Sequence, residues 1–438
     1  MNIKKYLSIY KGLPKDIYLL FISIVINKMG SFIMPLLTLI LAVKIGLSKT
    51  EVGLFSTIAM LTQVPFIILG GNLVDKFGGK KIIVFTQIIG SLVYLGCGFM
   101  KLNFTVVILI IIASDIYAMA SPAFTSMVPL VTPSPLMKNA YSLIYLGGNL
   151  GLAIGPTIGG ILFNNHLNLL FIIDALTTLL SAGLILFFIK VKDKVDNSLQ
   201  KTETEQSELT NSNSIFSFLY NNPILVIFPI IMLVYNFCYI QWTFMLPLQI
   251  VDIFKSNGAS FFSLLLSTNA IIVIILTPLL TSFIQKIEPL KSIFIGGVFY
   301  LSSFVLFAIN KFMIIFILSI IIMTIGEILI TINANHYIAK NTPKQYLGRS
   351  NSLLFVVSGT GYAVGPVVMG NIIILTSFKN AWLLVSAFML CGVVSMYFLR
   401  RFEKINVLKK QILIIKFLAI LKLKLLSKSD KPTLNSNK

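Results

Sequence analysis

The chain has 438 residues, 56% hydrophobic and only 11% charged, with a formal net charge of +20. Water-soluble domains are about 45–50% apolar and about 25% charged. The chain therefore has too little polar surface to cover a soluble body, and most of its side chains must face lipid or one another. A basic excess would suit nucleic acid, but here it is distributed as membrane topology demands, and no nucleic-acid partner is expected.

A bilayer core about 30 Å thick is crossed by roughly 20 apolar residues in a helix. Such runs fall at about 17–43, 52–74, 82–100, 104–128, 140–163 and 169–190, and again at about 223–251, 261–285, 292–309, 312–338, 350–376 and 381–399. They are continuous, without the alternation of a barrel strand. The sequence predicts an all-α membrane protein of twelve transmembrane helices. The first run is about 27 residues long, without a small-residue cleavage site, and reads as a retained helix and not a signal peptide. Lys28 lies about eleven residues into it, close to the midplane at about 1.5 Å per residue. Between the second and third runs comes GGNLVDKFGGKK at 70–81. Gly71 would let a neighbouring helix approach closely. Asp75 would meet the positive N-terminus of another helix, and Lys76, Lys80 and Lys81, around Gly78, would pair with carboxylates or lipid head groups.

This loop resembles the G-x-L-x-D-[RK]-x-G-x-[RK]-[RK] signature of the major facilitator superfamily, departing from it at Gly79, where Arg is common. The resemblance covers the whole transmembrane body. It implies a transporter of two six-helix bundles, with the loop latching the halves on the cytoplasmic face and Asp75 beside the start of the eleventh helix, around Ser350. It also implies that helices 1, 4, 7 and 10 line a central cavity.

The fourth run carries Asp115 about eleven residues from its outer end, at the same depth as Lys28, and the two are expected to pair across the cavity. The fifth run carries Gly151, Gly155, Pro156, Gly159 and Gly160. Glycines four apart make a flat packing strip, and the proline loosens the backbone ladder. This G-x-x-x-G-P-x-x-G-G element resembles one typical of drug/proton antiporters of the superfamily. Many members of that branch carry an Arg in the fourth helix as part of a proton relay; here there is none, and Lys28 is the candidate substitute. Asp174, near the start of the sixth run, is expected to be a cap.

Residues 191–222 are rich in Ser, Thr, Asn, Glu and Lys and cannot bury enough apolar area to fold alone. They read as a cytoplasmic linker between an N-terminal bundle, 1–190, and a C-terminal bundle, 223–399. The halves repeat: a shift of 210 lays 141–160 on 351–370 with seven of twenty positions identical, including Gly151 on Gly361, Gly155 on Gly365 and Pro156 on Pro366. A parallel repeat places two bundles about an axis along the membrane normal, with a site between them near the midplane. In the second half, Asn236, Gln241, Trp242, Asn269, Asn333 and Asn335, together with Asn149 in the first, are cavity candidates. Glu327 sits near the middle of the tenth run with no opposite charge in its own half. An isolated carboxyl in an apolar setting can carry a proton at neutral pH, and intramembrane charge marks function by default, so Glu327 is the candidate proton site. His336, near the end of the same run, reads as a surface residue.

After the last run comes a basic tail, 400–438. Its Lys409, Lys416 and Lys424 leave an apolar face, which fits a helix lying on an anionic leaflet. With the N-terminus inside, 28 Lys and Arg lie on the cytoplasmic side and six outside, which places both termini in the cytoplasm of a cell-membrane protein. Cys97, Cys238 and Cys391 fall in apolar runs and read as packing residues. No phosphate-binding loop, metal-ligand set or nucleophile cluster occurs, so no enzyme and no cofactor are expected. The expected function is proton-coupled efflux of a small amphipathic compound by a monomer among membrane lipids. A metabolite-importing symporter and a non-transporting receptor or assembly factor on the same fold are the alternatives.

Overall fold

The computed structural model describes residues 10–189, 223–284, 287–341 and 347–429. The predicted linker at 191–222 lies outside the described residues. Twelve transmembrane segments follow in order, all helical, with no strand among the described residues. The first bundle holds α1 (Lys15–Gly30, resuming at Leu37–Leu39 and Ile40–Ile45), α2 (Lys49–Phe77), α3 (Gly79–Phe99), α4 (Phe104–Ala118, continued by Ala120–Val131), α5 (Met137–Phe163) and α6 (Leu167–Phe188). The second holds α7 (Ile224–Tyr239, continued by Gln241–Phe254), α8 (Gly258–Ile284), α9 (Pro289–Ile309), α10 (Met313–Asn341), α11 (Leu347–Leu375) and α12 (Phe378–Ser429). Among the described residues, ten continuous stretches are long and apolar enough to cross a bilayer. One of these, Val226–Leu280, spans 55 residues and reverses at the 3-10 turn Lys255–Asn257, so it holds two crossings. The broken α1 supplies the remaining one.

The packing repeats between halves as the sequence repeat requires. α1 lies against α5 and α6, and α7 lies against α11 and α12. The bundles meet through α5 on α8 and α2 on α11. Glycine makes the close approaches. A Cβ on Gly151 or Gly155 would strike the α1 backbone, at Val25 O (2.8 Å) or Met29 O (2.7 Å), and one on Gly361 would strike Leu233 O of α7 at 2.2 Å.

The predicted continuous first helix is broken. The chain leaves the helix after Gly30, turns through Ser31–Leu36 around Pro35, and resumes at Leu37. The break strands backbone N–H groups in an apolar interior, where each must find an acceptor. Asp174 of α6 supplies one: its Oδ2 accepts from Phe32 N at 3.1 Å and Ile33 N at 3.4 Å. Asp174 is thus a cap, but of the neighbouring helix and not of its own.

The tail also departs from expectation. Its backbone continues α12 as one 52-residue helix, Phe378–Ser429, with no break that would let a separate segment lie down on the leaflet. Glu288, in the α8–α9 connection, clamps its start by pairing with Arg400 (3.1 Å) and Lys404 (3.3 Å). Partial desolvation works against ionisation of Glu288, but the two cations outweigh it and hold its carboxyl below the usual range.

The two bundles are joined by hydrogen bonds at the face opposite the termini. Thr50 donates to Asn371 Oδ1 (3.1 Å), Asn164 Nδ2 to Ser256 O (2.6 Å) and Ser260 to Gly160 O (3.0 Å). Deeper in, Thr157 and Ser267 share a bond of 2.7 Å and Thr38 donates to Thr243 O (3.2 Å). Glycines permit the seal: a Cβ on Gly53 would lie 2.4 Å from Pro366 O, and one on Gly370 would lie 2.6 Å from Lys49 O.

Candidate functional site

The loop between α2 and α3 is tighter than its charge suggests. Gly78 ends one helix and begins the next at φ +86°, a conformation glycine adopts without strain. Lys80 Nζ donates to Ile189 O at 2.9 Å, tying α3 to the end of α6. Lys76 and Lys81 are exposed, with Lys76 over the Phe77 ring at 5.3 Å. The close approach expected at Gly71 falls one residue earlier. A Cβ on Gly71 would meet nothing within 4 Å, whereas one on Gly70 would lie 2.3 Å from Met119 O, where α4 is interrupted. The Asp75 side chain, and those of Ser350, Asn335 and His336, lie outside the described residues.

The predicted Lys28–Asp115 pair does not form. Asp115 is buried at 4% exposure and accepts from Thr62 Oγ1 of α2 at 3.0 Å. The reason is packing: this half of α4 lies against α2 and α3, whereas α1 lies against α5 and α6. Equal depth did not mean a shared face. Lys28 instead sits beside Gly151 of α5 and within electrostatic range of Asp174.

Glu327 is the centre of the best-defined polar cluster at mid-depth. Its Oε2 accepts from Asn269 Nδ2 of α8 at 2.8 Å, and the same amide reaches Thr324 Oγ1 at 2.9 Å. The Tyr239 hydroxyl of α7 lies close to the same carboxyl. Both partners are neutral, and among the described residues no cation pairs with Glu327. Aromatic rings surround it: Tyr239 stacks on Tyr300 (5.4 Å) and meets Tyr362 (6.0 Å) and Trp242 (6.2 Å) edge-on. From the other bundle, exposed Tyr145 of α5 comes within electrostatic range of the carboxyl. Glu327 therefore stands where the two bundles face each other. Sequence reasoning held Asn269 and Trp242 as weak candidates and missed the tyrosines. The signal was there in the second half, since Tyr239, Tyr300 and Tyr362 bring hydroxyls into apolar helices.

The remaining candidates serve helix joints. Asn236 donates to Ser358 O of α11 (3.0 Å), and Gln241 donates to Phe237 O of its own helix (2.9 Å) at the α7 interruption. A Cβ on Gly365 would lie 2.6 Å from Gln241 Nε2, so the two fit as a pair across α7 and α11. Gly159 receives Leu36 and Phe32 of α1, whereas Gly160 receives Ser263 and Ser260 of α8, so one strip serves both α1 and the other bundle. Pro156 and Pro366 sit inside α5 and α11. Asn149 and Asn333 donate to carbonyls of their own helices, at Tyr145 and Leu329.

Comparison with known proteins agrees with this architecture. The Major Facilitator Superfamily matches residues 19–357 and 249–429. The chain is 27% identical over 371 residues to the uncharacterized MFS-type transporter YttB of Bacillus subtilis, covering 82% of this chain and 89% of that one. It is 21% identical over 421 residues to a Na(+), Li(+), K(+)/H(+) antiporter of Planococcus maritimus, covering 87% and 97%. The crystal structure of the nucleoside transporter NupG superposes with a TM-score of 0.70 at 15% identity, over 88% of this chain and 99% of that one. With the repeat, the two bundles and the match along nearly the whole chain in agreement, this multi-pass membrane protein belongs to the Major Facilitator Superfamily of transporters.

Proposed function

We propose that the chain is a secondary active transporter that exports a small amphipathic compound in exchange for protons. The observation that carries this reading is Glu327: a carboxyl near the midplane that accepts from neutral Asn269, lies close to the neutral Tyr239 hydroxyl, pairs with no cation among the described residues, and is framed by aromatic rings at the face between bundles. A carboxyl with neutral partners in an apolar setting can bind a proton and exchange it when water or a cationic group arrives. The rings offer a sequence-tolerant apolar surface and attract cations through their faces. The kinship to a proton-exchanging antiporter supports the same direction.

The basic face, carrying both termini, is the cytoplasmic face of the cell membrane on this reading. The hydrogen bonds between bundles at the opposite face then belong to an inward-facing state. The outward state breaks them, and the 70–81 loop, through Asp75, holds that state from inside. No enzymatic step and no cofactor enter the cycle. The test is reconstitution into liposomes with an imposed pH gradient, screening dyes, antibiotics and metabolites. Uphill movement of an amphipathic compound that collapses with the gradient is expected. A gradient-independent flux, or none with any compound, would overturn the proposal.

A further inference from the structure

Lys28 makes no direct ion pair among the described residues once Asp115 turns to Thr62. Among the described residues the ion pairs are those of Asp252, Arg400 and Lys404 with their neighbours, and none reaches Lys28. Asp174, whose Oδ2 accepts from Phe32 N and Ile33 N, is in electrostatic range of Lys28 without forming an ion pair with it. Lys28 nevertheless remains exposed. Its exposure lies on a different side of α1 from that of Tyr18 and Ile22, which are also exposed. Lys28 lies six residues beyond Ile22 and ten beyond Tyr18, which at about 100° per residue turns it about 120° and about 80° away from them. It lies beside Gly151 of α5, the helix that also contacts α8 of the other bundle. An unpaired ammonium at mid-membrane depth is costly unless an anion comes to it.

The opposite wall offers the complement. Tyr145, six residues from Gly151 on α5, is in range of Glu327. Six residues of helix rise about 9 Å and turn about 120° from one another, so the neighbourhoods of Lys28 and Glu327 lie about 9 Å apart in depth along α5. We infer that Lys28 is an anion subsite, and that the transported compound is an amphipathic zwitterion. Its carboxylate meets Lys28, its cationic group meets the Glu327 carboxylate, and its apolar body lies along the aromatic rings between them. This deepens the proposed function and rests on it only in taking the space between the bundles as the substrate site. Arrival of the cationic group at Glu327 releases one proton to the cytoplasm, so the acidic form of Glu327 and the zwitterion exclude each other.

The test uses a matched pair of fluorescent dyes on the full-length purified protein: rhodamine 110, which carries a free carboxylate beside its cationic ring system, and rhodamine 123, its methyl ester. Binding is measured at equilibrium in detergent, without any gradient, so failure of proton coupling leaves this measurement unaffected. A charge-assisted hydrogen bond contributes enough for roughly tenfold or more in affinity. Wild type should bind the carboxylate dye about tenfold tighter than the ester. Lys28→Gln should erase that preference by weakening only the carboxylate dye, and Lys28→Arg should retain it. Equal binding of both dyes by wild type, no binding of the carboxylate dye, or an equal loss of both dyes in Lys28→Gln would each overturn the inference. The wild-type comparison decides by itself if Lys28→Gln fails to fold.

Discussion

Removing the Asp174 carboxyl should unseat the break in α1. Asp174→Ala leaves Phe32 N and Ile33 N without the acceptor now 3.1 and 3.4 Å away. Asp174 is 3% exposed, so water does not readily replace it. A buried donor left unsatisfied costs about 1–3 kcal/mol. The longer bond is the weaker, so the pair together contributes about 3 kcal/mol. For a chain of this size that corresponds to a fall in apparent Tm of roughly 5 °C. Asp174→Asn keeps an oxygen acceptor in place and should recover most of the loss. The assay is thermal unfolding of purified protein in detergent, followed by intrinsic fluorescence at one scan rate for all three proteins. If Asp174→Ala unfolds within about 1 °C of wild type, the carboxyl is not the cap that holds the break. If Asp174→Asn is as damaged as Asp174→Ala, charge and not hydrogen bonding is what matters there.

Other outcomes follow from the same geometry. Gly70→Ala puts a Cβ 2.3 Å from Met119 O and should lower the yield of folded protein, whereas Gly71→Ala meets open space and should purify normally; equal yields would contradict the placement of α2 on α4. Gly370→Val, whose Cβ would lie 2.6 Å from Lys49 O, should insert and fold but lose transport because the far face cannot seal; transport at the wild-type rate would show that this contact is dispensable. Glu288 is held below its ordinary range by Arg400 and Lys404, so its contribution is present above the unfolded value and fades as pH falls through the folded one. Amide exchange in residues 400–405 should therefore quicken on acidification in wild type, after correction for the intrinsic rate, and be quick and pH-independent in Glu288→Gln.

Much of the fold was legible because bilayer physics leaves few choices. Each apolar run longer than about 20 residues had to be a helix, and the 210-residue repeat had to place equivalent helices in equivalent contacts. The Gly151–Gly155 strip on α1 and Gly361 on α7 follow directly from it. What sequence could not supply was rotation. Lys28 and Asp115 share a depth, but the azimuth of α4 turns Asp115 to Thr62, and nothing local encodes that angle. Gly70 and Gly71 are likewise adjacent in sequence and 100° apart on the helix, and only packing decides which of them needs to lack a side chain. The break in α1 was half visible, in Gly30 and Pro35. Its cap, Asp174, lies more than 140 residues away and is found only once α6 is in place. At the candidate site, Glu327 stood out because charge is rare in these helices. Tyrosines are common among apolar residues, so Tyr239 and Tyr145 gained meaning only by converging on that carboxyl.

The central claim is that Glu327 gives up a proton as a cationic compound binds. It is tested most directly by adding rhodamine 123 to unbuffered, detergent-solubilised protein and recording proton release with a pH indicator. The account predicts release approaching one proton per bound dye in wild type, and none in Glu327→Gln, which still binds the dye. Undiminished release from Glu327→Gln, or dye binding by wild type without any release, would contradict it.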